Sequence, residues 1–358
     1  MDHRAISAPY PKVVSLWLGI GLIMIFLQVF IGGITRLTGS GLSITEWEIV
    51  TGTLPPLDAA SWEKAFEAYR ATPQYQKINQ GMTMQEFRFI YFWEYVHRLW
   101  ARTMGVVFAI PFFIFLRKGF LDWFMIRRLL VVMGLAAIVA SFGWIMVASG
   151  LTDRPWVNAY KLTLHLSLAL ILFGYLLWTF FYSLPAFPRF GQIPGLRRYT
   201  ILLLILLGVQ IVLGGIVSGS KAGPFYPTWP DMNGHWIPEV LFQHDAFLAE
   251  NFINYDSNPY FSAWIQAFHR GLAYLLSIAI IAFLWRYWRE SHGSVLRSIL
   301  LILGIALAAQ LILGIFTVTH SVPSVPVGSG VAHQAMALVL LFLLLTLAFG
   351  SRKTMVSN

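Results

Sequence analysis

The 358-residue sequence contains no cysteine. That absence excludes disulfides, iron–sulfur clusters, cysteine–zinc sites and covalently attached c-type haem together. Any metal chemistry must then rest on His, Met, Tyr or carboxylates. Charge is also scarce, at 11% of residues, against 57% hydrophobic residues. No soluble domain hides that apolar fraction, so the chain is expected to be an integral membrane protein surrounded by lipid. The first residues, "MDHRAISAPYPK", lack the short apolar core and small-residue cleavage site of a signal peptide. The first apolar run is therefore expected to be retained as a helix.

Runs of about 20 apolar residues cross a bilayer as helices. Eight are present, at roughly 13–33, 94–116, 127–149, 159–182, 198–218, 264–285, 297–318 and 330–350. With the N-terminus inside, the inner segments hold fourteen basic residues and three acidic ones, Asp2, Asp122 and Glu290. The remaining acidic residues fall mostly in two long outer loops, 34–93 and 219–263. The positive-inside rule then makes both termini cytoplasmic. The net charge of +9 is mainly a topology signal. Its basic residues are scattered over five inner segments and form no nucleic-acid surface.

The chain repeats itself. "QVFIGGITRLTGSG" (28–41) matches "QIVLGGIVSGSKAG" (210–223), and "EYVHRLWA" (94–101) matches "QAFHRGLA" (266–273). "YKLTLHLSLALIL" (160–172) matches "GSGVAHQAMALVLL" (328–341). The expected fold is all-α, with two pseudo-symmetric four-helix bundles, residues 1–182 and 183–358. Each bundle carries a histidine near the start of its second and fourth helices. His97, His165, His269 and His333 should all lie at one depth, near the outer leaflet. Two imidazoles facing each other across a bundle can clasp a planar macrocycle through its iron. The blander alternative is that each histidine caps its helix or bonds a neighbouring carbonyl.

Arg98 and Arg270 follow a histidine directly. They either pair with haem propionates through the guanidinium fork or snorkel to the interface. Arg36, at the outer end of the first helix, has the same two readings, and its counterpart is the uncharged Ser218. His3, His235, His244, His292 and His320 are expected to be solvated or interfacial. Glu94 breaks the repeat. It precedes His97 by three residues and so shares its helix face, whereas Gln266 stands at that place before His269. The asymmetry points to a division of labour, with chemistry in the first bundle and a fixed redox group in the second. The alternative for Glu94 is an exposed interfacial carboxylate.

The motifs "GGITRLTGSGLS", "EYVHR", "FGWIMVASGL" (142–151), "YKLTLHL", "AGPFYPTWPDMNG" (222–234), "FHR" and "AHQ" occur in order from the first helix to the last. In this the sequence resembles the haem A synthase family, in its cysteine-free form similar to that of alphaproteobacteria and mitochondria. The resemblance implies oxidation of a methyl group of haem O to a formyl group by successive hydroxylations, with oxygen from water. It implies a resident haem b on His269 and His333, a substrate haem on His97 and His165, and an essential carboxylate at Glu94. It further implies the cell inner (plasma) membrane, with the haem sites toward the periplasm. Direct docking of the farnesyltransferase that makes haem O, and a homo-oligomer, are partner expectations of the same kind. Two other classes would use the same histidines. One is a two-haem b cytochrome for quinol electron transfer, and the other is a haem transporter.

Overall fold

The computed structural model describes residues 10–46, 54–151, 155–190, 193–256, 258–291 and 294–352. His3, Arg4, His292, Lys353 and part of the first long loop, 47–53, lie outside the described residues.

Eight helices are long and apolar enough to cross a membrane. They are α1 (Lys12–Leu37), α2 (Met84–Arg117), α3 (Trp123–Gly150), α4 (Ala159–Ser183), α5 (Leu196–Gly219), α6 (Pro259–Glu290), α7 (Ser294–Thr319) and α8 (Val327–Gly350). No strand occurs among the described residues. Polar caps fix several starts. Asp122, Asn158 and Asn258 accept from first-turn N–H groups of α3, α4 and α6. Thr83 and Glu86 form a reciprocal capping box that opens α2.

The apolar pattern expects the second span to begin at 94, yet α2 starts at Met84. Hydropathy marks only the lipid-facing stretch of a helix. The ten-residue extension is held by its cap and by Phe87 and Ile90, which pack under Phe66 and Tyr69 of a loop helix, Ala59–Arg70. That helix and a shorter one, Pro73–Lys77, give the first long loop structure of its own.

The helices pack as four hairpins, α1 with α2, α3 with α4, α5 with α6 and α7 with α8. One helix of each hairpin, namely α1, α4, α5 and α8, also packs across the middle of the molecule. The outer helices differ between the halves. α6 and α7 pack against each other, while α2 and α3 scarcely meet. The apolar cores lie toward the short-loop end. Trp17, Phe112, Leu129 and Leu177 belong to one core, and Leu203, Ile280, Leu303 and Leu344 to the other. Toward the long-loop end the bundles are hollow.

Candidate functional site

The hollow end is one continuous cavity of about 1940 Å³. Single small-molecule sites occupy about 300–1,000 Å³, so this volume suits two large ligands better than one. His97 from α2, His165 from α4, His269 from α6 and His333 from α8 all line it. The structure therefore brings together the four histidines that the repeat singles out, one from each hairpin.

Each imidazole lies against a glycine on the other helix of its own hairpin. A Cβ at Gly32, Gly143, Gly214 or Gly314 would stand 2.8–3.2 Å from the facing ring of His97, His165, His269 or His333. At Gly143 and Gly314 a Cβ would force the ring to shift, and at Gly32 and Gly214 the ring would have to give by a few tenths of an ångström, so glycine suits the close approach. The tandem glycines of α1 and α5 divide this work. Gly32 and Gly214 receive the imidazole, while Gly33 and Gly215 face Gln334 of α8 and Thr163 of α4 across the middle of the molecule.

Second contacts aim the rings. His165 Nδ1 lies 3.0 Å from the Val139 carbonyl, and His333 Nδ1 lies 3.1 Å from the Gln310 carbonyl. A carbonyl only accepts, so these contacts call for the Nδ1–H tautomer, which puts the ring's metal-binding lone pair on Nε2. Glutamine side chains reach the other rings. Gln28 Nε2 is 3.3 Å from His97 Nε2, and Gln210 Nε2 is 3.1 Å from His269 Nδ1. Gln310 Nε2 is also 3.4 Å from His333 Nε2. Each glutamine precedes its glycine by four residues, in "QVFIG", "QIVLG" and "QLILG". The fourth copy, "VASFG" (139–143), has Val139 there, so no side-chain amide reaches His165 from that position. The sequence reading missed these glutamines. The Q-x-x-x-G spacing was the available signal, partly hidden because α7 lacks the tandem glycine pair of α1 and α5.

Glu94 is buried and not an exposed interfacial carboxylate. Its Oε2 accepts from Ser43 N (2.6 Å), Ser43 Oγ (2.7 Å) and Ile44 N (2.9 Å). Its Oε1 accepts from Arg98 at 2.6 Å. Gln266 is equally buried, donates to the Ala222 carbonyl, and accepts from Arg270. Arg98 and Arg270 do more than the sequence allowed for, since each ties a long loop to its helix. Arg98 donates to the carbonyls of Ile44 and Glu46. Arg270 donates to those of Tyr226, Thr228 and Asp231. Around Asp231 the Thr228 hydroxyl and the Gly234 N–H hold the carboxyl below the usual range, which favours this loop conformation.

The other described histidines stay outside. His235 and His244 are exposed in the second loop, and His320 stacks on Phe316 at the surface.

The cavity fits haem. Among the described residues no three His, Asp or Glu side chains converge as a bare-metal site, but haem iron needs only two axial ligands because the ring supplies the rest. His97 Nδ1 and the Oε1 atoms of Gln28, Gln210 and Gln310 are buried without partners. Such orphaned groups mark a place where a ligand or water completes the bonding. Five cations and one carboxylate line the cavity, namely Arg36, Arg98, Arg102, Lys221, Arg270 and Glu94. The excess of four positive charges suits anionic groups such as haem propionates.

The profile of a family described as "Cytochrome oxidase assembly protein" (COX15-CtaA) matches residues 15–345. A Heme A synthase of Rhodospirillum centenum is 41% identical over 342 residues, covering 94% of this chain and 88% of its own length. One from Rhodopseudomonas palustris is 41% identical over 346 residues, with 96% and 92% covered. One from Flavobacterium johnsoniae is 39% identical over 336 residues, with 92% and 95% covered.

Proposed function

The chain belongs to the COX15-CtaA family of cytochrome oxidase assembly proteins, and from that membership we propose that it is a haem A synthase, a multi-pass membrane oxidoreductase that converts haem O to haem A. The observation that carries the reading is the pair of matched histidine sites in one cavity, with a buried carboxylate beside one and an amide beside the other.

The overall change is R–CH3 + H2O → R–CHO + 4 H+ + 4 e−, taken in two-electron steps through the alcohol, with the four electrons passing to an external electron acceptor. His97 and His165 hold the iron of the substrate haem, while His269 and His333 hold a resident haem b. Bound there, haem b supplies a one-electron route away from the substrate ring. Glu94 stabilises positive charge developing at the methyl carbon. Its four donors engage both oxygens, which supports a fixed carboxylate over a mobile proton acceptor. Gln266 cannot ionise, in keeping with a site that does no chemistry. The loose seam between α2 and α3 gives the farnesyl tail a way into lipid. In this reading the cavity faces the periplasm from the inner membrane and receives haem O from the farnesyltransferase that makes it.

A two-haem electron carrier and a haem transporter would both need the histidines, but neither gives Glu94 a task. The test is expression in a host that makes haem O and no haem A, followed by chromatography of extracted haems. Haem A should appear only with the chain. Haem O alone, at normal protein level, would overturn the reading.

A further inference from the structure

Two of the cavity's cations, Arg36 and Lys221, take no part in the reaction or in the loop contacts described above. Arg36, at the end of α1, crosses to the other half of the molecule. There its Nη2 donates to the carbonyls of Ser218 (2.6 Å) and Gly219 (3.2 Å) at the end of α5, and its Nε is buried without a partner. Two residues beyond Gly219 comes Lys221, which also lines the cavity, with its Nζ 4.4 Å from the centre of the Trp156 ring. Among the described residues no carboxylate lies within ion-pair distance of either cation. Burial, and then repulsion from Arg36, lowers the Lys221 pKa, with Asp256 opposing.

The backbone adds an independent sign. Lys221 has φ +56°, and the matching residue in the first repeat is Gly39, with φ +70°. Glycine adopts that conformation freely and lysine does not. A lysine kept where the other repeat has glycine is an outlier of the kind that marks function. Arg36 shows the converse asymmetry, since its repeat partner is Ser218. Each half thus contributes one cation that its counterpart lacks, and both line the cavity where the end of α1 reaches the end of α5.

We propose that Arg36 and Lys221 form a shared carboxylate-binding site at the junction of the two halves, and that it holds haem propionates. The proposal rests on the haem-binding reading above. An anionic lipid headgroup offers related chemistry, so the test separates the two sources. The full-length chain, made in haem-depleted cells and purified, is titrated with protohaem and with its dimethyl ester, in both phosphatidylcholine and phosphatidylglycerol nanodiscs. Lys221→Gly is the informative variant because glycine suits φ +56°, so thermal unfolding should be unchanged. Arg36→Gln would also remove the contacts to α5.

Wild type should prefer the free acid over the ester by ~10- to 100-fold, as expected for a charge-assisted bond. Lys221→Gly should lose most of that preference, Lys221→Arg should keep it, and lipid type should matter little. An undiminished preference in Lys221→Gly would overturn the proposal while leaving haem A formation, measured separately, intact. A Lys221 effect seen only in phosphatidylglycerol, without discrimination against the ester, would assign the site to lipid and also overturn it.

Discussion

At the scale of single residues, Glu94 carries the sharpest functional claim. Its position three residues before His97 was legible, and so was its replacement by Gln266 in the repeat. Its hydrogen bonds were not, because Ser43 and Ile44 come from a loop whose fold-back no periodicity reveals. Glu94→Gln keeps the size but exchanges an acceptor for a donor that faces the N–H groups of Ser43 and Ile44. Turnover should fall by about 10²–10³-fold, typical for a lost electrostatic stabiliser. Haem b should be retained, because its ligands lie on α6 and α8. The check is the ratio of haem O to haem A in extracts at equal protein level, with the haem b spectrum recorded alongside. Normal haem A would leave Glu94 with only its task of holding the loop.

At the scale of helices, the eight spans were readable from hydropathy, and their ends were not where caps or loop helices intervened. The tandem glycines were visible as a repeat, but their two directions, one toward an imidazole and one across the molecule, needed the packing. The same holds for the glutamines four residues earlier. Their pattern distinguishes the two proposed sites, since both resident-haem ligands have a glutamine against the ring and His165 does not. An exchanging ligand needs a looser hold, and contacts of this kind typically alter metal affinity by about 10–100-fold. Val139→Gln supplies the missing amide where the wall faces the cavity. The variant should release haem more slowly from the first site and purify with more haem per chain. Haem content and release equal to wild type would show that the glutamines merely fill space.

At the scale of the whole molecule, solid apolar cores occupy one end and a single cationic cavity the other. Sequence marked four histidines and three of the arginines but overlooked Arg102 and Lys221. A cation looks solvated in a sequence until folding turns it inward, and Lys221 sits in a loop-like stretch beside Gly and Ser. The central claim is that two matched histidine pairs hold different haems, one resident and one as substrate. The direct measurement is the visible absorption spectrum of purified chain in which each histidine in turn is replaced by leucine. His269→Leu and His333→Leu should abolish the low-spin b-type spectrum. His97→Leu and His165→Leu should leave it largely intact while haem A formation stops. The reverse partition, or equal loss from all four variants, would contradict the account.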